Sequence, residues 1–273
     1  MPRQTVLLLA LVAGLLSVAV APAGAMPVPV DGLLPAAALP AAALPATTLP
    51  LTSRPLAGVV VAIDPGHQLG AGRHPRQINR KVWVGFWKAC DTTGTATASG
   101  YPEATFTWDV SRRLQADLSA LGARVLLSRS TNSDAAWGPC IDERGRLGNA
   151  QHAALKIVVH ADGAPPSGHG FHVIAPGRIT GYTDDIAAAS DRLARAVKAG
   201  LVADGYTPST YIPGGGIVRR TDLGTLRMAD IPSVLTELGN MANPADATQM
   251  RSPAGRQRYA DALLRGIRSY LDR

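Results

Sequence analysis

Val59-Val60-Val61-Ala62-Ile63-Asp64-Pro65-Gly66-His67 decides how the rest of this chain is read. The apolar, β-branched run up to Ile63 predicts a buried strand over 58–64. A turn signal stops it: Pro65 ends the ladder and Gly66 permits a tight bend. Open α/β sheets place their sites just beyond the carboxyl ends of strands. His67 stands there and is a candidate metal ligand, although a single strand-end histidine also has a purely structural reading.

Outward from this strand, elements alternate. Residues 68–102 read as a long irregular region containing Trp83, Phe86, Trp87 and Tyr101. A helix follows over 103–121, with Phe106, Val110, Leu114, Leu118 and Leu121 as its apolar stripe and Gly122 as its stop. The pattern then predicts a strand over 123–128, a helix over 141–153, and strands over 156–160 and 170–175. A helix over 184–203, strands near 216–219 and over 233–237, and a last helix over 253–271 complete it. This alternation predicts an α/β fold, a single-domain sandwich with a central, mostly parallel mixed sheet flanked by helices, spanning 56–273.

The first 55 residues stand outside that domain. Met1 to Ala25 has a basic start at Arg3, an apolar run from Val6 to Val20 and the small-residue site Ala23-Gly24-Ala25. This is the pattern of a secretory signal peptide cleaved after Ala25. The run falls short of the ~20 residues that span a bilayer, which argues against a membrane anchor. No second long apolar run follows, so the sequence predicts a protein secreted to the periplasm or cell wall, with no integral membrane segment after cleavage. Residues 26–55 repeat a Leu-Pro-Ala-Ala-Ala beat and predict an extended, mostly disordered linker. It is either a spacer that threads a wall or a dispensable secretion segment.

The net charge is +7, and Arg3 is the only charge that leaves with the signal peptide. A basic exported protein suits a polyanionic cell wall. Nucleic acid is the rival polyanion, but the arginines are dispersed and no aromatic stacking platform is visible, so no nucleic-acid partner is expected. The two cysteines, Cys90 and Cys140, read as a disulfide in an exported chain, with metal binding as the alternative. Nothing demands more than a monomer.

Three further segments repeat the logic of the opening strand. Lys156-Ile157-Val158-Val159-His160 ends in a histidine, Ser233-Val234-Leu235-Thr236-Glu237 ends in a carboxylate, and Glu103 opens the first long helix. Two histidines and a glutamate with an open fourth position are the ligand set of many catalytic zinc sites. A second glutamate is then free to act as general base.

These segments resemble the zinc-dependent N-acetylmuramoyl-L-alanine amidases, the amidase 3 family, and in particular its mycobacterial single-domain type. The carrying motifs are Ile63-Asp64-Pro65-Gly66-His67, Gly100-Tyr101-Pro102-Glu103, Val158-Val159-His160-Ala161-Asp162 and the run from Pro232 through Glu237 to Asn243. The resemblance implies one Zn²⁺ held by His67, Glu103 and His160, with Glu237 as catalytic base. It implies cleavage of the amide between N-acetylmuramic acid and L-alanine in peptidoglycan or muropeptide fragments. Val158, Asp162 and Gln68 depart from the family's usual Ser, Asn and Gly, at positions that are not ligands. The rivals are a zinc peptidase acting on stem-peptide bonds and a catalytically silent wall-binding protein. Other residues keep two readings. His74, His152, His169 and His172 are structural or exposed by type, with His172 notable for its strand position. Arg219 and Arg220 either grip a peptide carboxylate or are solvated. Trp83, Phe86 and Trp87 either line a sugar groove or pack under the disulfide loop.

Overall fold

The computed structural model describes residues 54–272. The expected signal peptide and nearly all of the expected linker lie outside the described residues. Leu56 is fully buried and donates its N–H to the carbonyl of Leu121, so packing takes in the chain from that point.

The chain runs β1 (Val60–Pro65), α1 (Pro75–Asn79), β2 (Lys81–Trp83), β3 (Trp87–Ala89), α2 (Glu103–Ala120), β4 (Arg124–Leu127), α3 (Ile141–Arg146), β5 (Leu155–Asp162) and β6 (His172–Pro176). It continues through α4 (Ala187–Ala203), β7 (Ile217–Arg220), α5 (Gly224–Arg227), β8 (Ser233–Asn240), α6 (Pro244–Arg251) and α7 (Pro253–Tyr270). Six strands form one sheet in the order β4-β1-β5-β8-β6-β7. The first four are mutually parallel, β6 is antiparallel to β8, and β7 is parallel to β6. This is the mixed, mostly parallel α/β sheet expected from the sequence.

Strand alternation divides the sheet into two faces with different tasks. On one, Val61, Ile63, Ile157, Val159, Val173 and Val234 pack in the main core with the stripes of α2, α4 and α7. There α4 and α7 approach so closely that a Cβ on Gly200 would lie 2.4 Å from the Ala262 carbonyl oxygen. On the other face, Val158, Ile174 and Leu235 pack beneath Leu226 of α5. The site lies at the rim of this second face.

Several elements differ from expectation. The region 68–102 is not wholly irregular: it holds α1 and a β2–β3 hairpin, whose three-residue strands are too short to show a period of two. The helix expected over 141–153 ends at Arg146, because Gly148 (φ +87°) and His152 (φ +48°) take left-handed conformations that a helix cannot include. Its last carbonyls are instead covered by the buried Lys156, whose Nζ donates to Gly145 O and to Thr225 O at 3.1 Å. Burial holds that ammonium down at about 8. α6 was missed, although Asn243-Pro244 is a sequence-level start signal: Asn243 Oδ1 accepts from the N–H groups of Ala245 and Asp246.

Cys90 and Cys140 form the disulfide, closing a loop of 50 residues between β3 and the start of α3. In the chain-entropy view a loop of that length contributes about 4 kcal/mol. The double variant Cys90→Ser/Cys140→Ser should therefore unfold at clearly lower urea concentration with little change in slope, measured by far-UV circular dichroism. An unchanged midpoint would show that the crosslink does not constrain the unfolded chain.

Candidate metal centre and active site

β1 ends at Pro65, and Gly66 and His67 turn away from the sheet. His67 takes a left-handed conformation (φ +57°), uncommon for a residue with a side chain. Two buried arginines hold it there. Arg144 donates to the carbonyl oxygens of Pro65 at 2.8 Å and His67 at 2.9 Å. The same guanidinium pairs with Asp64 at 2.7 Å and with Asp91 at 3.1 Å. Arg129 donates to Pro65 O at 3.1 Å and to Ala104 O at 2.9 Å, joining the turn to the start of α2.

Three polar side chains meet at the end of this turn. Glu103 Oε2 lies 3.2 Å from His67 Nε2, and Glu103 Oε1 lies 2.9 Å from His160 Nδ1. One potential ligand atom from each residue falls within 4.8 Å of the others. The imidazoles sit edge to face with centroids 4.7 Å apart. His67 Nδ1 is 2.9 Å from the Thr92 carbonyl oxygen and donates to it, which leaves Nε2 as the ring atom that faces Glu103. Glu103 accepts further from the N–H groups of Thr95 at 2.9 Å and Ala161 at 3.2 Å.

The donor set suits a borderline cation such as zinc, and the backbone is shaped around it. A Cβ on Gly66 would lie 2.3 Å from His160 Cε1, and one on Gly94 would lie 2.9 Å from Glu103 Oε2. Both glycines are therefore required by the close approach of the His160 and Glu103 side chains. Burial alone would raise Glu103, but His67 and His160 hold its carboxyl well below the usual range. Burial alone would lower His67, but Glu103 and Asp91 keep it raised. Glu103 and His67 therefore each favour the charged form because the other is present.

Register places the second glutamate. β5 and β8 pair His160 with Glu237, and β8 and β6 pair Glu237 with His172, so the three stand in a row on one face. Glu237 is partly buried, and its Oε2 has no hydrogen-bond partner among the described residues. Burial first, then the charges of Glu103 and Asp162, raise its carboxyl well above the ordinary value. Two cavities meet at this residue. One, of about 310 Å³, is lined by Lys88, Ile141, Leu223 and Leu235; the other, of about 360 Å³, by Thr93, Thr95, Asp162 and Gly163. His67, His160 and Glu237 line both.

The other singled-out residues sort as follows. Arg219 pairs with Asp191 at 2.9 Å and Arg220 with Asp222 at 2.6 Å, both at the surface, and Arg220 is near enough to Glu237 for its charge to oppose the rise of that carboxyl. His172 is buried beside Tyr211, and burial lowers it. Gln68 points away from the cluster and bonds Thr131 O at 3.2 Å and the Leu69 N–H at 3.0 Å. Val158 is fully buried in the apolar layer under α5, while Asp162 lines the open cavity. The sequence reading missed Arg144, Arg129 and Asp91, because nothing in a lone arginine or aspartate announces burial.

The family model described as N-acetylmuramoyl-L-alanine amidase matches residues 61–269. The chain is 46% identical over 217 residues to the N-acetylmuramoyl-L-alanine amidase Rv3717 of Mycobacterium tuberculosis, covering 79% of this chain and 87% of that protein. The crystal structure of the amidase Ami1 from Mycobacterium smegmatis superposes with a TM-score of 0.73 at 43% identity, over 80% of this chain and 98% of that one. The apo form of Ami1 from Mycobacterium abscessus gives the same score at 41% identity, over 79% and 99%.

Removing one partner of the Asp64–Arg144 pair strands a buried charge. Arg144→Met should cost about 3–5 kcal/mol in urea unfolding. Asp64 is raised by burial but lowered further by Arg144 and Ser128, so its folded value lies below the unfolded ~3.9. Its contribution is thus complete above about pH 4 and is lost as the pH falls through the lowered value. Asp64→Asn should flatten that acid limb of the stability profile; an unaltered limb would assign acid unfolding to other carboxylates.

Proposed function

The chain belongs to the N-acetylmuramoyl-L-alanine amidase family, and we propose that it is a secreted, zinc-dependent peptidoglycan hydrolase. Its substrate is the amide between N-acetylmuramic acid and the L-alanine of the stem peptide. Its roles lie in wall remodelling, daughter-cell separation or turnover. The observation that carries the reading is the meeting of His67, Glu103 and His160 beside the unpartnered carboxyl oxygen of Glu237. A wall-binding module without activity has no use for that fourth residue set in register with His160.

His67, Glu103 and His160 would hold the ion. Zinc in such a site supplies a Lewis acid that brings the pKa of water towards ~7. Glu237 takes a proton from the attacking water at its free oxygen and returns it to the leaving L-alanine nitrogen. Burial favours the neutral form of that carboxyl, the form that carries the proton between the two transfers. The Thr92 carbonyl fixes the His67 ring, and the N–H groups of Thr95 and Ala161 fix the Glu103 carboxylate. The scissile amide lies where the two cavities join, with the groups on either side of it occupying one cavity each.

Glu237→Gln should retain zinc, measured by elemental analysis, and lose at least about 10²-fold in turnover of a purified muropeptide. Wild-type turnover by this variant would remove Glu237 from the reaction. His67→Ala should lose the metal itself, and a chelator should abolish wild-type activity until zinc is restored. Mass analysis of products decides the bond. An intact stem with a free L-alanine amine is expected, whereas fragments cut within the stem would make the protein a peptidase.

A further inference from the structure

The β2–β3 hairpin carries a surface that the reaction leaves unused. Trp83 and Trp87 pair directly across the ladder, with ring centroids 5.4 Å apart, edge to face. They are 51% and 65% exposed, and among the described residues only Val202 joins them as an exposed large apolar side chain. The whole sequence contains four tryptophans, so two of them stand in water on one short hairpin. Large apolar groups left in contact are an interaction surface more often than an accident.

The support beneath them is firm. Cys90 anchors one end of the hairpin through the disulfide. Lys88 Nζ donates to Asp222 O at 2.9 Å. At the tip, the Arg227 guanidinium lies 5.4 Å from the Phe86 ring and 4.2 Å from that of Tyr182. β3 also leads from the pair to the catalytic cleft: Lys88 and Ala89, which follow Trp87, line the cavity shared with His160 and Glu237. Two residues of strand, about 7 Å, separate the pair from that cavity.

We propose that Trp83 and Trp87 are a carbohydrate-contact site for the glycan strand of peptidoglycan, extending the catalytic cleft along the polymer. The proposal rests on the amidase reading. A pyranose ring offers an apolar C–H face that stacks on an indole while its hydroxyls stay in water, and an indole N–H remains free to bond them. Continuity with the cleft selects this occupant. A polymer whose pendant amide is held at Glu237 must pass beside the cleft. A lipid surface or a second copy of the chain has no such requirement.

The test compares the wild-type zinc-loaded protein with Trp83→Ala/Trp87→Ala and Trp83→Tyr/Trp87→Tyr. These side chains lie outside the core, and circular dichroism should show unchanged folding. Retention on purified sacculi and their solubilisation should fall roughly tenfold in the alanine variant, the scale of about 1.4 kcal/mol, and recover in the tyrosine variant. Turnover of a soluble monomeric muropeptide should be unchanged. Glycan strands stripped of stem peptides should quench wild-type tryptophan fluorescence and leave the alanine variant unaffected. Equal retention on sacculi would overturn the proposal, as would parallel loss on sacculi and monomer. It would likewise fall if the variant lost only binding to anionic phospholipid vesicles, or only a dimer seen by sedimentation. Failure of the wild-type protein on the monomeric muropeptide would strike at the amidase reading instead.

Discussion

One buried guanidinium organises the site. Arg144 reaches from α3 to Asp64, Pro65, His67 and Asp91, so a single planar cation fixes the end of β1, the turn and the loop behind it. The geometry suits arginine because five donors in a rigid fork can serve several acceptors at once. Desolvating such a charge is costly, and its neighbours offset the cost: two carboxylates and three backbone carbonyls surround it. The left-handed His67 persists because this surrounding structure determines it.

The rest of the site follows from the sheet. Strand alternation assigns the main core to one face and leaves the other free at its rim. Parallel pairing of β5 with β8 then sets His160 beside Glu237 without any loop having to arrange it. α2 contributes Glu103 from its first turn, where the Thr95 carbonyl accepts the Glu103 N–H and the Thr95 N–H binds its carboxylate. His67 and Glu103 thus stand just beyond β1 and at the start of α2, whereas His160 and Glu237 lie in the carboxyl-terminal halves of β5 and β8, which run on to Asp162 and Asn240.

Much of this was legible in the residues. The strands of β1, β5 and β8 show as apolar runs, and each ends in or next to a residue of the site, so fold and candidate site were read together. The apolar stripe of α2 was equally plain, and helices were expected close to where α4 and α7 lie. Short elements were not: β2 and β3 have three residues each, and α5 has four, too few for a period to appear. The end of α3 at Arg146 was missed because His152, a residue with a side chain, gives no sign in the sequence that it takes a left-handed conformation. Arg144, Arg129 and Lys156 were invisible for a related reason. Their types are normally solvated, and only the fold shows that each sits among carbonyl oxygens that need a donor.

The strand order has a consequence for biogenesis. β8 is the last strand in the chain, yet it occupies an interior position between β5 and β6. Before it arrives, β5 has an open edge, and β6 with β7 has no link to the rest of the sheet. β8 also brings Glu237. His67, Glu103 and His160 thus belong to segments that precede β8 in the chain, and Glu237 comes only with the strand that closes the sheet. Closure of the sheet and arrival of Glu237 beside His160 are therefore one event.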